Sequence, residues 1–175
     1  MTNYSVRNAL LPSMSAALLA WTAMPALATT SGTGSVQTQM QVSATAVHFC
    51  KSASVGSMLF GDLQPDLGKD ASADISVRCT RTSPVEILLS KGVNGTAVTA
   101  RKMTSSAGTL DYALYSNSAR TSLWGDTVGG TGNTVTAVGA GLATDVVRTV
   151  YGRVPVQRSA APGAYSDTVL VTINY

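Results

Sequence analysis

The chain has 175 residues, of which 45% are hydrophobic and only 12% are charged, and its formal net charge is +3. This charged share is too low for a charged disordered tail and excludes a coiled coil, which requires abundant Glu, Lys and Leu. The basic residues are spread along the chain, so their pattern gives no support for nucleic-acid binding. The prevalence of Thr, Val and Gly predicts one all-β domain that works outside the cytoplasm.

Residues 1–28 are predicted to form a secretory signal peptide. Arg7 is the only basic side chain before an apolar stretch that runs to Trp21, and Ala26-Leu27-Ala28 has the small-x-small pattern that signal peptidase accepts. The alternative is a membrane anchor, which needs about 20 continuous apolar residues. Pro and Ser residues interrupt the apolar stretch, so we expect export and cleavage before Thr29.

The two cysteines, Cys50 and Cys79, both lie in the predicted mature chain. An even number of cysteines in an oxidising compartment favours a disulfide. The alternative is a metal site, but two cysteines and a single histidine, His48, cannot supply the four ligands of an ordinary zinc site. We therefore predict a Cys50–Cys79 disulfide.

The segment before the first cysteine carries no acidic or fixed basic side chain from residue 29 to residue 50. Between Gly34 and Ala44 its residues alternate in the manner of a strand. It is either the first strand of the domain or a strand that enters another molecule. One face carries Val36, Thr38, Met40, Val42 and Ala44, and the other carries Gln37, Gln39, Gln41 and Ser43.

The remainder of the chain is predicted to consist of antiparallel strands joined by turns rich in Gly, Ser, Asn and Asp. Their number and spacing favour an immunoglobulin-like β-sandwich. The alternating apolar sets are Ile75, Val77 and Cys79; Val85, Ile87 and Leu89; Leu110, Tyr112 and Leu114; and Val146, Val150, Val154 and Val156.

A last strand is predicted from Tyr165 to Tyr175, the final residue of the sequence. A terminal strand of this kind leaves a sheet edge that must be covered, and pairing with a separate chain is one way to cover it. One face of the predicted strand carries Tyr165, Val169, Val171, Ile173 and Tyr175.

Catalysis has little support in the sequence. His48 is the only histidine, the nine carboxylates are scattered, and no GxSxG, HExxH or phosphate-binding motif occurs. Asn94-Gly95-Thr96 matches the glycosylation pattern, but Asn-Gly is foremost a hairpin turn. Trp124-Gly125-Asp126 is either a sugar-stacking site or, as we favour, a strand end followed by a turn. We expect no enzyme activity, no cofactor and no metal.

Several segments together resemble the spore coat U domain family, which includes the subunits of archaic chaperone–usher pili secreted for motility and biofilm formation. They follow the family's order over nearly the whole mature chain, and the ordered set is far more specific than any one of them. They are Phe60-Gly61, Ile75-Ser76-Val77-Arg78-Cys79-Thr80, Tyr112-Ala113-Leu114-Tyr115, Leu123-Trp124-Gly125-Asp126, Tyr151-Gly152-Arg153-Val154-Pro155 and Gly163-Ala164-Tyr165-Ser166-Asp167-Thr168-Val169 followed by Val171-Thr172-Ile173-Asn174-Tyr175.

The resemblance implies an incomplete, pilin-type sandwich that lacks its final strand and exposes an apolar groove. A periplasmic chaperone fills that groove first, and an outer-membrane usher then exchanges the chaperone for the N-terminal strand of the next subunit. This scheme implies a head-to-tail polymer exported through the periplasm to the cell surface. It also implies a role in adhesion and biofilm formation.

Residue by residue, the resemblance makes Val36, Thr38, Met40, Val42 and Ala44 the donor-strand positions. It makes Cys50–Cys79 the family's disulfide, and the strand from Tyr165 to Tyr175 the border of the groove that meets the chaperone. The implied domains are a signal peptide (1–28), a donor segment (29–46) and a spore coat U domain (47–175).

The length of the mature chain favours a shaft or adaptor subunit over a tip adhesin with an additional domain. Two other interpretations remain open. One is a self-contained secreted β-sandwich that binds glycans, and the other is a spore or cell-envelope coat protein assembled by the same strand exchange.

Overall fold

A computed structural model describes residues 34–129 and 133–175. The predicted signal peptide, residues 1–28, and the first residues of the predicted donor segment lie outside this range. The contacts divide the chain between Ser43 and Ala44 into an N-terminal unit and a larger unit, and the larger unit holds all the strands formed by the described residues. None of the described residues forms a helix, and therefore none forms a helix able to span a membrane.

The larger unit is an all-β domain with two antiparallel sheets, which confirms the predicted sandwich class. The strands are β1 (Cys50–Val55), β2 (Lys69–Cys79), β3 (Pro84–Leu89), β4 (Arg101–Ser105), β5 (Gly108–Tyr115), β6 (Val135–Val138), β7 (Val146–Val154) and β8 (Val171–Asn174). One sheet has five strands in the order β1-β2-β7-β5-β4, and the other has three in the order β6-β3-β8.

The core lies between the two sheets and is built from the inward-facing residues of alternating strands. Burial follows a period of two because successive side chains point to opposite faces of a strand. In β2 the last three inward side chains are almost completely buried, whereas the residues between them reach solvent. The buried cluster is formed by Ile75, Val77, Cys79, Val85, Ile87, Leu89, Tyr112, Leu114, Trp124, Ala137, Val150 and Val154.

Trp124 belongs to this core and is completely shielded from solvent. Its indole Nε1–H donates to the backbone oxygen of Ile87 at 2.9 Å, which satisfies the only polar group of the side chain. A sugar ring cannot stack on an indole that has no exposed face. Trp124 is therefore not the platform that the glycan-binding interpretation requires.

Cys50 and Cys79 form the predicted disulfide, with an S–S distance of 2.06 Å. The two cysteines are direct partners in the antiparallel pairing of β1 with β2. The bond therefore ties the edge strand β1 to the interior of the large sheet.

Replacing both cysteines together, as Cys50→Ser with Cys79→Ser, is expected to lower the free energy of unfolding by about 3.5 kcal/mol. The bond closes a loop of 29 residues in sequence separation, and opening it restores chain entropy to the unfolded state. Urea titrations of the oxidised wild type and the double variant measure the change. An equal denaturation midpoint for the two proteins would contradict this prediction.

The outer face of the large sheet carries ion pairs between neighbouring strands. The guanidinium of Arg153 donates two hydrogen bonds to Asp70, at 2.7 and 2.9 Å, and Arg120 lies 3.3 Å from the same carboxylate. The hydrogen bond from Arg153 is the main reason that the pKa of Asp70 lies below its ordinary value. The folded state thus favours the ionised carboxylate.

This shift makes stability depend on acid pH. The contribution of Asp70 is complete well above the ordinary carboxyl pKa of 3.8 and is lost as the pH falls through that value towards the lower folded pKa. Because the side chain is 40% exposed, we expect a loss of only about 1 kcal/mol or less. In urea titrations at successive pH values, the midpoint of Asp70→Asn should fall less between pH 5 and pH 2 than that of the wild type. Asp66→Asn, in an exposed turn, should show the same fall as the wild type, and an equal fall for Asp70→Asn would contradict the prediction.

Candidate functional site

The small sheet ends in a strand with one unpaired side. β8 pairs with β3 through Glu86–Leu89, and within the described residues no strand pairs with its other side. An unpaired edge presents backbone N–H and C=O groups that a further strand can bind. The open edge belongs to the final strand, as the sequence predicts.

Beside this edge lies an apolar groove, which we define as the space between residues 55–63 and residues 160–171. One section has a volume of about 500 Å³ and includes Val55, Tyr112 and Val171 in its lining. A second section of about 750 Å³ continues towards Leu63 and Val154. The sections form one groove because they share lining residues, namely Met58, Leu59, Phe60, Met103 and Tyr165.

The floor of the groove is the inner face of the large sheet. Ile75, Leu114 and Val150 reach it from three adjacent strands. Gly152 lies on β7 between inward-facing valines, and a Cβ atom there would lie only 2.2 Å from Met58 Sδ. The missing side chain lets Met58 and Phe60 lie directly against the sheet, where both are partly buried.

The predicted last strand is shorter in the structure than in the sequence analysis. Only Val171–Asn174 is a strand, whereas Ser166 forms an isolated bridge with Thr104 of β4. The segment therefore crosses from the large sheet to the small one, and a sequence pattern cannot show such a change of partner.

The predicted groove residues nevertheless share one face. Tyr165, Val169 and Val171 are partly buried and line the groove, while Ile173 packs against the core further along β8. Tyr175 is 56% exposed and lines a separate surface depression beside β3 and β6. The structure thus brings three of the five predicted residues to the groove itself.

The five predicted donor positions lie in residues 34–49, which form no secondary structure. Val36 is 96% exposed, and Met40 and Val42 are each 84% exposed. Thr38 and Ala44 are exposed as well. A single chain therefore leaves this apolar row in contact with water, and the interpretation as an ordinary first strand of the domain is wrong for this structure.

Charged side chains are few around the groove. Asp62 is the one charged residue in the lining of its 750 Å³ section, and Asp167 is the one charged residue in the lining of its 500 Å³ section. Within the described residues no group of His, Cys, Asp or Glu is arranged to hold a metal ion. The groove is suited to an uncharged occupant, because an unpaired charge is costly to bury there.

Sequence reasoning missed part of this site. Residues 55–63, which form one side of the groove, show no periodic pattern in the sequence, although Phe60-Gly61 is one of the segments that carry the family resemblance. The sequence predicts a hairpin turn at Asn94-Gly95, but the tight turn lies at residues 98–99, between the bridge partners Ala97 and Ala100. Asn94 instead binds Asp167, which the alternation itself places on the inward face.

Comparisons with known proteins agree on the family. The sequence model of the Spore Coat Protein U domain matches residues 36–172. "Protein U" of Myxococcus xanthus is 36% identical over 134 residues, a match that covers 69% of this chain and 72% of that protein.

Among solved structures, one similar chain comes from the crystal structure of the CsuC–CsuE chaperone–tip adhesion subunit pre-assembly complex of archaic chaperone-usher Csu pili from Acinetobacter baumannii. It is 18% identical, with a TM-score of 0.49, over 74% of this chain and 40% of that one. The length of the family match and the identity to Protein U settle the classification. The chain belongs to the Spore Coat Protein U domain family.

Proposed function

We propose that this protein is a structural subunit that polymerises head to tail by exchange of strands. In this scheme residues 34–44 of one copy occupy the apolar groove of the next. The observation that carries the proposal is the presence, in one chain, of an open apolar groove beside a free strand edge and of an exposed apolar row with no secondary structure.

The chemistry of the two surfaces is complementary. The row Val36, Thr38, Met40, Val42, Ala44 is uncharged and alternates with polar residues, so a strand can bury one face and hydrate the other. The groove is lined mainly by aliphatic and aromatic side chains. Backbone hydrogen bonds to β8 would add affinity, as in other cases of strand addition.

A second copy is favoured as the occupant because pairing between copies covers both the exposed donor row and the open groove. Each copy would bury its donor row in one neighbour and receive the row of another in its own groove. Such an interface joins two different surfaces and does not close on itself, so it generates a filament. Insertion of the chain's own segment would instead give a monomer.

The setting that we propose is an archaic chaperone–usher pilus that supports adhesion and biofilm formation. The subunit would be exported, its groove covered by a periplasmic chaperone, and its assembly directed by an outer-membrane usher to the cell surface. The resemblance of the ordered segments to that family supports this setting.

A coat protein is the second candidate, and the description of the matching domain favours it. It would use the same strand exchange but deposit the polymer on the cell or spore envelope. The candidates differ in their need for an usher: a pilus subunit requires one to reach the surface, and filaments extend beyond the cell.

Material sheared from producing cells tests polymerisation directly. Run in detergent without heating, a strand-exchanged polymer should give a ladder of bands, and boiling should collapse the ladder to monomer. A single monomer band before and after boiling would contradict the proposal. Electron microscopy of the same material then separates filaments from an envelope layer.

A further inference from the structure

Asp167 occupies an unusual place in the wall of the groove. It alternates in burial with its neighbours, so that Tyr165, Asp167 and Val169 are partly buried while Ser166 and Thr168 are exposed. The residue thus lies on the face that carries apolar side chains elsewhere in the segment. A carboxylate at such a position requires partners in order to be tolerated.

The carboxylate has a full set of partners within the domain. Oδ1 accepts hydrogen bonds from the backbone amides of Val93 and Asn94, at 3.0 and 3.1 Å, and from Asn94 Nδ2 at 2.9 Å. Oδ2 accepts a hydrogen bond from the hydroxyl of Tyr112 at 2.6 Å. Four donors come close to saturating the acceptor sites of a carboxylate, so a strand in the groove need not supply any.

These bonds join three parts of the fold at the point where the chain changes sheets. Tyr112 belongs to the large sheet, and residues 92–94 follow β3 of the small sheet. Gly92 has φ +81°, and a Cβ atom there would lie 1.9 Å from Asp167 Oδ2. The loop can approach the carboxylate this closely only with glycine at that position.

We propose that Asp167 is a positioning residue that holds residues 166–170 as a preformed wall of the groove. The proposal rests on the proposed function, since it concerns the readiness of the groove to accept a donor strand. Backbone bonds at each end assist: Ser166 pairs with Thr104, and Leu170 bonds to both the backbone amide and the hydroxyl of Ser90.

The expected consequence is kinetic. If the wall were mobile, a donor strand would have to order it during binding, and the ordering entropy would oppose association. A wall held beforehand presents the groove side chains and the edge of β8 already aligned. Loss of the carboxylate should therefore slow strand uptake even where the rest of the domain folds normally.

The test is the rate at which full mature chains assemble after dilution from denaturant with the disulfide intact. Unheated detergent gels at successive times follow the ladder, and the fluorescence of Trp124 reports formation of the core. Asp167→Ala should slow the ladder about tenfold, as expected for the loss of hydrogen bonds to a charged group. The rate of ladder formation in Asp167→Asn should lie between those of the wild type and Asp167→Ala, because the amide oxygen of the asparagine can still accept hydrogen bonds from residues 93 and 94.

Hydrogen exchange of the refolded monomer gives the readout that a general loss of stability would not reproduce. In Asp167→Ala the amide of Asn94 should lose protection while those of β2 keep it, whereas the Val93 amide retains a second acceptor in Thr168 O at 3.1 Å. Asp111→Asn, one residue from Tyr112 on the outer face, is the matched control and should assemble at the wild-type rate.

The outcomes are separable. A wild-type chain that never forms a ladder overturns the proposed function, whereas equal ladder rates for folded wild type and Asp167→Ala overturn only the role of Asp167. If Asp167→Ala does not recover native Trp124 fluorescence, the assembly rate of Tyr112→Phe tests the proposal instead. That variant keeps three of the four hydrogen bonds and should slow assembly about threefold, and an unchanged rate would overturn the proposal.

Discussion

Met40→Asp is expected to leave the subunit folded but to remove the detergent-resistant ladder from sheared surface material. Met40 is the central residue of the donor row and is 84% exposed in the single chain, so the substitution disturbs no packing there. In a polymer the new carboxylate would enter a groove lined mainly by apolar side chains. Burying it without a partner costs several kcal/mol, enough to lower occupancy by orders of magnitude.

Gln41→Asp is the matched control for this prediction. It introduces the same charge one position later, on the face of the strand that would remain in water. The control should polymerise as the wild type does, and Val42→Asp should fail as Met40→Asp does. If Met40→Asp and Gln41→Asp behave alike, the segment does not bind through the face that we assign to it.

The strands that the sequence predicted correctly are those in which several buried apolar residues alternate with more exposed ones. Ile75, Val77 and Cys79 alternate with polar residues in β2, and each is almost completely buried. Such strands can be predicted from the pattern because a two-layer sandwich buries the apolar face of a strand between its sheets and leaves the polar face in water.

The strands that were missed lack this pattern. β4 begins with Arg101, an ionised side chain at an inward position, and β6 has only four residues, of which Ala137 is the one that is fully buried. The apolar faces that flank the groove were partly foreseen in Val169 and Val171. Residues 58 and 60 can approach the large sheet only because Gly152 has no side chain. Periodicity does not report such contacts between residues that are distant in sequence.

Arg101 also gives the largest expected change in the stability of the domain. Its side chain is completely buried, and its guanidinium donates to four backbone oxygens. The acceptors are Ser90 O at 2.9 Å, Val98 O at 3.1 Å, and Leu89 O and Trp124 O at 2.8 Å each. Burial lowers the pKa of Arg101 from its ordinary value.

Arg101→Met is expected to lower the free energy of unfolding by about 4 kcal/mol or more, because several buried carbonyls lose their donor at once. Methionine keeps much of the volume, so the loss reports hydrogen bonding more than packing. Lys102→Met, at the next and more exposed position, should change stability by less than about 1 kcal/mol. Chemical denaturation of both variants measures the difference, and similar midpoints would show that the Arg101 bonds contribute little net stability. A large loss confined to Arg101→Met would instead show that the four hydrogen bonds stabilise the domain around this inward-facing arginine.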